Sequence, residues 1–398
     1  MNTLSTTENL SRYLAILLTV MVCVTRLSMA AGEIVYGIAV LLGIVLWYRT
    51  RKTCELFSET KKYCIVVLFF FTTTLPSALF TGDIAVGMKS FLGMWLYRFL
   101  VFVLIGFFVK NKQHLVYMLA AFLAITSIDC LVAFFQVAVQ YQGTNRGWGF
   151  GSNTLTLAGI LAMLLPIVIV ILFDERFNPT IKKVAKLSIV CIFIGLLAGK
   201  SRGAWLTDLA TIPVATYWYI RNNGKRLCIV FLAFLAFFAF ISCNQNYEER
   251  FTSITNVTTD RSNGDRIWIY RSCIDMAADH PITGVGMGQF KRYYHSGYKY
   301  SEETQDLPHG HNNFLQLLAE TGIVGVIGLL GFVGYFLVTS FKHWKKDKNP
   351  YDLLIFTTVL SYICLFGQIE YTLDNSSGMR IFWFLLAIML QMKHLEKA

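Results

Sequence analysis

Apolar runs long enough to cross a membrane recur from one end of this 398-residue chain to the other. A span needs about 20 mostly apolar residues. Such runs stand at approximately 13–31, 34–48, 63–80, 91–109, 115–139, 154–173, 187–199, 204–220, 227–242, 322–341, 352–372 and 377–392. In hydrocarbon every backbone N–H and C=O must be satisfied within the protein, so runs of this kind fold as helices. The expected fold is an all-α integral membrane protein of about twelve spans. Composition agrees: 15% of the residues are charged and the mean hydropathy is +0.53, whereas soluble domains carry roughly 25% charged residues.

One long polar stretch interrupts the pattern, from Asn244 to Gly322. The chain therefore divides into spans 1–9 over residues 1–242, a large and partly helical loop over 243–321, and spans 10–12 over 322–398. Low-complexity segments, linkers and inverted repeats of the transporter kind are not seen in the sequence.

The net charge of +11 would suit nucleic acid, but its placement does not. The cations fill alternate short loops: Arg49, Arg51, Lys52, Lys61 and Lys62; Lys110 and Lys112; Arg176, Lys182, Lys183 and Lys186. The series continues with Arg221, Lys225 and Arg226; Lys342, Lys345, Lys346 and Lys348; and Lys393 and Lys397. All fall on one side if both termini are cytoplasmic, and the positive-inside rule then puts the 243–321 loop outside. The seven basic residues of that loop do not oppose this, because long loops cross regardless of charge. Membrane lipid rather than nucleic acid is the expected surrounding. The nine cysteines are scattered without a CxxC or a Cys/His ligand spacing and read as structural, Cys243 and Cys273 included. Ser28-Met29-Ala30 faintly resembles a signal-peptidase site, but the next span follows too closely for cleavage to be expected.

Arg26, Arg98, Asp208, Glu370 and Arg380 fall in the outer halves of their spans under this topology, and Asp129 near a middle. Charge inside hydrocarbon is costly and usually faces a protein interior or a wet cavity. A polar cavity open to the outer leaflet is expected, with Arg98 and Asp208 deepest. Snorkelling to the interface explains Arg26 and Glu370 equally well.

Three stretches have the residue types for chemistry. Lys200-Ser201-Arg202-Gly203-Ala204-Trp205 stands at the outer end of a span. Arginine is a planar, permanently charged fork that matches phosphate bidentately, and Gly203 would let a bulky anion approach the backbone. The same residues also make an ordinary interfacial flank, with Trp205 in the aromatic belt. In the loop, Ile267, Tyr270, Arg271, Ile274 and Met276 suggest an amphipathic helix capped by Asn263 or Asp265 and stopped by Pro281 and Gly284. Its first turn would aim Arg266 at the cavity; a solvated surface charge is the alternative. Gly284-Val285-Gly286-Met287-Gly288 follows a helix stop rather than a strand, so it reads as a tight turn and not a dinucleotide fingerprint.

The third stretch is His309-Gly310-His311-Asn312-Asn313, just before a short apolar pattern that would fix His311 at a helix start. A neutral imidazole can take a proton at ambient pH. Two histidines at i and i+2 also suit a metal, but no third ligand stands at sensible spacing, Asp306 being the nearest carboxylate. No metal and no cofactor are expected. Asn312 and Asn313 would either cap the helix or orient the ring.

Together these stretches resemble the O-antigen ligase superfamily: the ligases, the O-antigen polymerases and the bacterial protein O-oligosaccharyltransferases. The resemblance is carried by Ser201-Arg202-Gly203-Ala204-Trp205, by Arg266 with Trp268, and by Pro281-Ile282-Thr283-Gly284-Val285-Gly286. His311-Asn312 running on to Ala319-Glu320-Thr321-Gly322 completes the set. It covers roughly residues 190–340 by motif, and Ser201 to Trp205 is most similar to the ligase branch. It implies transfer of a glycan from undecaprenyl diphosphate to a sugar hydroxyl of lipid A–core at the periplasmic face of the inner membrane. In that scheme Arg202 and Arg266 bind the diphosphate and His311 is the general base, while Ser201, Trp205, Trp268, His309, Asn312 and Arg98 line the substrate. A transporter of polyprenyl-linked glycans would use the cavity and the arginines but gives an external histidine nothing to do.

Overall fold

The computed structural model describes residues 2–50, 56–80, 82–151, 153–254 and 260–397. Arg51 and Lys52, counted above among the loop cations, lie outside these. Among the described residues all regular structure is helical. Nine long helices come first: α1 Asn2–Leu27, α2 Met29–Thr50, α3 Ser58–Phe80, α4 Ile84–Phe108, α5 Lys112–Ala138, α6 Thr154–Phe173, α7 Pro179–Gly199, α8 Arg202–Ile220 and α9 Gly224–Ser242. The polar stretch holds α10 Gln245–Thr252, α11 Arg261–Asp279 and α12 Phe290–Tyr293. The long helices α13 Asn313–Asp347, α14 Pro350–Gln368 and α15 Ser376–Lys397 close the chain.

A long helix thus stands at each expected span, and among the described residues nine are long and apolar enough to cross a membrane. The other three carry charge: Lys182, Lys183 and Lys186 on α7, Arg202 and Asp208 on α8, and Arg380 and Lys393 on α15. α15 is the central pillar, with every side chain from Ser377 to Lys393 buried. Trp383 meets Phe99, Phe102 and Phe332 edge-on or tilted, and Gln391 Nε2 donates to Ile105 O and Gly106 O. α9 is its opposite: only Phe237 and Ile241 are buried.

Three boundaries depart from expectation, each for a local reason. The first expected span ran to 31, but α1 ends at Leu27 and Ser28 caps α2 by accepting the Ala31 N–H. The eleventh ran to 372, but α14 widens into π turns and stops at Gln368. There the Asn313 side chain donates to Ile363 O at 3.1 Å and accepts from Thr372 N and Leu373 N. That side chain turns 369–375 into a loop. The tenth was expected from 322, but α13 begins at Asn313 and runs through a bend at Gly322 (φ +63°, ψ −165°). A side chain there would meet Ile282 O at 2.3 Å. The bend is clasped by the turn after α11, for Ile323 N donates to Pro281 O and Val285 N to Ala319 O, both at 2.9 Å. Gly284, at φ +68°, packs its α-carbon on the Glu320 backbone, as the tight-turn reading requires.

The charged residues inside the bundle are mostly paired within the protein rather than left to a cavity. Arg26 Nε meets Asp129 Oδ2 at 3.0 Å, and Arg380 pairs with Glu33. Arg98 donates to Leu373 O at 2.8 Å and Asp374 at 3.0 Å. Snorkelling therefore does not describe Arg26 or Glu370, which is also buried. Asp208 corrects the expectation differently: it faces an apolar cleft, and neither of its oxygens has a partner among the described residues.

The amphipathic loop helix exists as α11, with two corrections. Its cap is Asp260, which accepts Asn263 N at 2.9 Å, rather than Asn263 or Asp265. Its buried face is Asp265, Ile269, Ser272, Cys273, Met276 and Ala277, whereas Ile267 and Ile274 are exposed. Spacings of three and four residues define both faces, and the packing of α13 selects the one with the small side chains. Cys243 and Cys273 are both free.

Candidate active site

α13 starts where Asn312 turns its side chain onto its own helix. The Oδ1 accepts Phe314 N at 2.9 Å and Leu315 N at 3.1 Å, and the Nδ2 reaches Gln368. Asn312 is therefore the cap, and Asn313 organises the 369–375 loop. The residue before the cap, His311, has a left-handed backbone (φ +43°). For a non-glycine residue this costs about 1–3 kcal/mol and persists only where the surroundings impose it. Here they do so from several sides. His311 N donates to His309 Nδ1 at 3.3 Å, Tyr270 OH donates to His311 O at 3.4 Å, and Gln316 Oε1 accepts Gly310 N at 2.6 Å.

The ring of His311 meets Glu370, which arrives on the loop that Asn313 holds. His311 Nδ1 lies 2.9 Å from Glu370 Oε2, and His309 Nε2 lies 3.3 Å from Oε1. The two imidazole centroids are 4.2 Å apart. Proton positions follow from the network. His309 Nδ1 accepts a backbone N–H, so its proton sits on Nε2 and faces the carboxylate. His311 Nδ1 likewise carries the proton towards Glu370, which leaves Nε2 with a lone pair. That Nε2 is buried and has no hydrogen-bond partner among the described residues. In that tautomer it is an open proton acceptor. Burial first, and then the charge of Arg266, push the His309 pKa down to about 4 against the pull of Glu370.

Glu370 also supplies the third ligand that sequence spacing lacked, because donor atoms of His309, His311 and Glu370 lie within 4.8 Å of one another. In a zinc site the same atoms would turn to the ion at about 2.0–2.2 Å. The hydrogen-bonded pair and the metal site compete for one set of atoms.

The arginines approach from the other side. Ser201 caps α8, its Oγ accepting Ala204 N, and Arg202 opens the helix. Arg202 Nη1 donates to Ser253 O and Oγ at 2.9 and 2.8 Å, and Nη2 to Asp260 at 3.2 Å. Arg266 stands in the second turn of α11, not the first, because the helix starts at Arg261. It makes no hydrogen bond or ion pair among the described residues, and its charge acts on Glu370, His309 and Tyr270. Gly203 does not open the backbone to an anion; a side chain there would strike Ile369 at 3.0 Å. The glycine instead seats α8 against the residue before Glu370, joining the arginine end to the histidine end.

Three further cations complete this side: Lys200, which opens the first candidate stretch, and Arg146 and Arg250, which sequence reasoning did not single out. Arg146 Nε donates to Gly199 O at 3.0 Å, and burial with the charges of Arg250, Arg202 and Arg266 pushes its pKa down to about 10. Lys200 is buried, with its Nζ 4.9 Å over the Tyr247 ring, and burial followed by Arg250 and Arg146 lowers its pKa. Lys200 and Arg250 line a pocket of about 180 Å³ with Asn145, Glu249, Ser253 and Asp260. Arg146, Lys200, Arg202, Arg250 and Arg266 act on one another through their charges, and among the described residues Arg202 alone of the five has an ion pair, with Asp260; together they make an electropositive hollow that suits an anion of more than one charge.

The remaining expected residues lie further out. Trp205 is buried rather than in an interfacial belt, its Nε1 donating to Leu196 O at 3.1 Å. Trp268 packs on Tyr300 and under Arg271. Arg98 braces the 369–375 loop from below through Leu373 and Asp374.

Residues 187–330 match the family model described as O-antigen ligase. The match supports the O-antigen ligase superfamily, already indicated by the motifs, and with it a glycosyltransferase-like ligase or polymerase in a multi-pass membrane protein. It includes Arg202, Arg266 and His311 but ends before Glu370. No curated protein matches the chain.

Proposed function

We propose that the chain is an O-antigen ligase, moving a glycan from undecaprenyl diphosphate to a sugar hydroxyl of lipid A–core at the periplasmic face of the inner membrane. The observation that carries this reading is His311 Nε2, buried and without a partner among the described residues while Nδ1 is held by Glu370. A sugar hydroxyl is a poor nucleophile, and a positioned base contributes about 10²–10⁴ in rate. In the reaction the hydroxyl proton passes to Nε2 as the oxygen attacks the anomeric carbon. The bond from that carbon to the diphosphate breaks, and undecaprenyl diphosphate leaves with the electron pair. A single displacement of this kind inverts the anomeric centre. Arg266, without an acceptor among the described residues, and Arg202, held by one carboxylate, are suited to the charge that develops on the leaving group. Glu370 fixes the ring and stabilises the imidazolium.

The scheme needs no cofactor and no metal. In vitro transfer that stops with EDTA and returns with a divalent cation would instead give His309, His311 and Glu370 to an ion. The polymerases and protein O-oligosaccharyltransferases share the donor chemistry and differ in acceptor. Deleting the gene and separating lipopolysaccharide on a gel distinguishes them. Bare core with lipid-linked polymer retained marks a ligase, and core capped by one repeat marks a polymerase. The proposed orientation has both termini in the cytoplasm and α11 in the periplasm. A cysteine at exposed position 261 that an impermeant reagent fails to label in spheroplasts would reverse it.

A further inference from the structure

A general base needs one imidazole and one carboxylate to steady it, yet two imidazoles share the carboxylate of Glu370. His311 Nδ1 lies 2.9 Å from Oε2 and His309 Nε2 3.3 Å from Oε1. A tetrahedral zinc ion about 2.1 Å from each ligand spaces its ligand atoms about 3.4 Å apart. Both separations are within about half an ångström of that spacing, and the donor atoms of all three residues lie within 4.8 Å of one another.

The three groups are held in place by the protein alone. The left-handed backbone of His311 is fixed by Gln316 on Gly310 N and by Tyr270 on His311 O. Glu370 N donates to Phe366 O at 3.0 Å, and Asn313 fixes Thr372 and Leu373 just beyond it. His311 and Glu370 are buried, whereas the His309 side chain is 27% exposed and gives an ion a way in. Ligand chemistry selects that ion. Two imidazoles and a carboxylate suit zinc and its first-row neighbours, whereas magnesium and calcium take oxygen ligands.

We propose that His309, His311 and Glu370 form a regulatory site for zinc or an ion of its class, and that the bound ion switches the base off. The site stands on the geometry; only the switch rests on the function proposed above. Its cause is the tautomer. An ion on Nδ1 of His311 takes the lone pair there and leaves the one ring proton on Nε2, the atom that must accept the hydroxyl proton. Glu370, turned to the ion, no longer steadies an imidazolium. On His309 an ion at Nε2 likewise puts the proton on Nδ1, at the cost of the 3.3 Å bond from His311 N. Arg202 and Arg266 are not ligands, so the donor still binds while proton transfer stops.

The test uses the purified full-length protein with Cys228→Ser and Cys243→Ser, because these exposed thiols would also take zinc. Zinc binding is read by calorimetry, without turnover, and repeated with His309→Ala, His311→Ala and Glu370→Gln in the same background. One ion per chain is expected at this site, weakened in each variant by at least the roughly 10–100-fold that loss of a ligand's outer partner costs. No saturable binding, or affinity unchanged in all three variants, overturns the site. Transfer is then measured with magnesium in excess, which occupies the donor's diphosphate without competing for imidazole. Zinc should abolish turnover at the concentration at which it binds, reversibly with EDTA, while labelled donor is retained. Zinc bound with turnover unchanged, or turnover lost together with donor binding, overturns the switch. Transfer that EDTA stops and zinc restores overturns both the switch and the metal-free scheme. Protein that transfers under no condition takes the glycosyltransferase reading and the switch with it, and the calorimetry alone decides the site.

Discussion

The site stands between two unlike flanks of one bundle. On one flank α13, α14 and α15 interlock: α15 is buried along almost its whole length, and Asn313 stitches α13 to the loop after α14. On the other flank α9 has only Phe237 and Ile241 buried, and it leads into the short α10. His311 and Glu370 belong to the first flank; Arg202 meets Ser253 and Asp260, which follow from the second. A base must keep its geometry through the reaction, whereas a binding site for a bulky lipid-linked anion must admit and release it. The tight flank suits the first task and the loose flank the second.

The largest effect expected from breaking this division is on the arginines. Arg202→Ala and Arg266→Ala should each lower transfer by about 10³ or more, as for arginines that stabilise a transferring phosphoryl group. Lysine should recover little, because a point charge does not reproduce the bidentate fork. Near-normal transfer by both alanine variants in correctly inserted protein would remove them from the site.

Next come His311→Ala and Glu370→Gln, each expected to reduce turnover by about 10²–10⁴ while donor binding is retained. A glutamine at 370 can present its amide to Nδ1 and so favour the tautomer with the proton on Nε2. Binding of a labelled donor and transfer should be measured separately. Loss of donor binding as severe as in the Arg202 variant would place the histidine on the binding flank.

A smaller effect is expected from Asp260→Asn. It weakens the pair that occupies Arg202 and uncaps α11 only mildly, since asparagine also caps well. Donor affinity should rise a few-fold, the scale of a partly exposed ion pair of about 1 kcal/mol or less. Unchanged affinity in a titration would show that Asp260 does not compete with the donor.

The smallest effect concerns His309 and pH. Its folded pKa, about 4, lies below the ordinary value of 6.5, so the unfolded chain binds more protons between these values. Its contribution is therefore full above pH 6.5 and lost as pH falls towards 4. His309→Asn should flatten the fall in melting temperature of the detergent-solubilised protein over that window. An unaltered slope would show that His309 is not held neutral by its burial.

How far the sequence spoke depended on whether the cause was local. Span positions were legible because hydrocarbon imposes a length and a composition on each helix alone. Arg202, Arg266 and His311 stood in short motifs, and the structure brings their neighbourhoods together through Gly203 on Ile369. Glu370 was visible only as a charge near a helix end; its pairing with His311, 59 residues away, depends on the Asn313 side chain ending α14. Arg146 had no motif at all. It reaches the hollow because Asp129 and Gln136 hold the backbone of Phe150, Trp148 and Gly149. The buried face of α11 was misread because two faces had equal periodicity, and only the partner helix could choose between them.

The clasped bend at Gly322 has a mechanical consequence. A continuous helix of 35 residues would act as a lever some 50 Å long at 1.5 Å per residue, and each tilt of its membrane portion would swing the imidazole at its tip. The bend interrupts that lever, and the backbone of Pro281 and Ile282 grips it on the side of the loop. The short arm with His311 is thus anchored to α11 and the 369–375 loop, while the long arm is fixed separately, packing into the bundle core through Leu329, Phe332, Val333 and Phe336. The joint divides one helix between two sets of contacts, so the imidazole takes its position from the loop side rather than from the far end of the span.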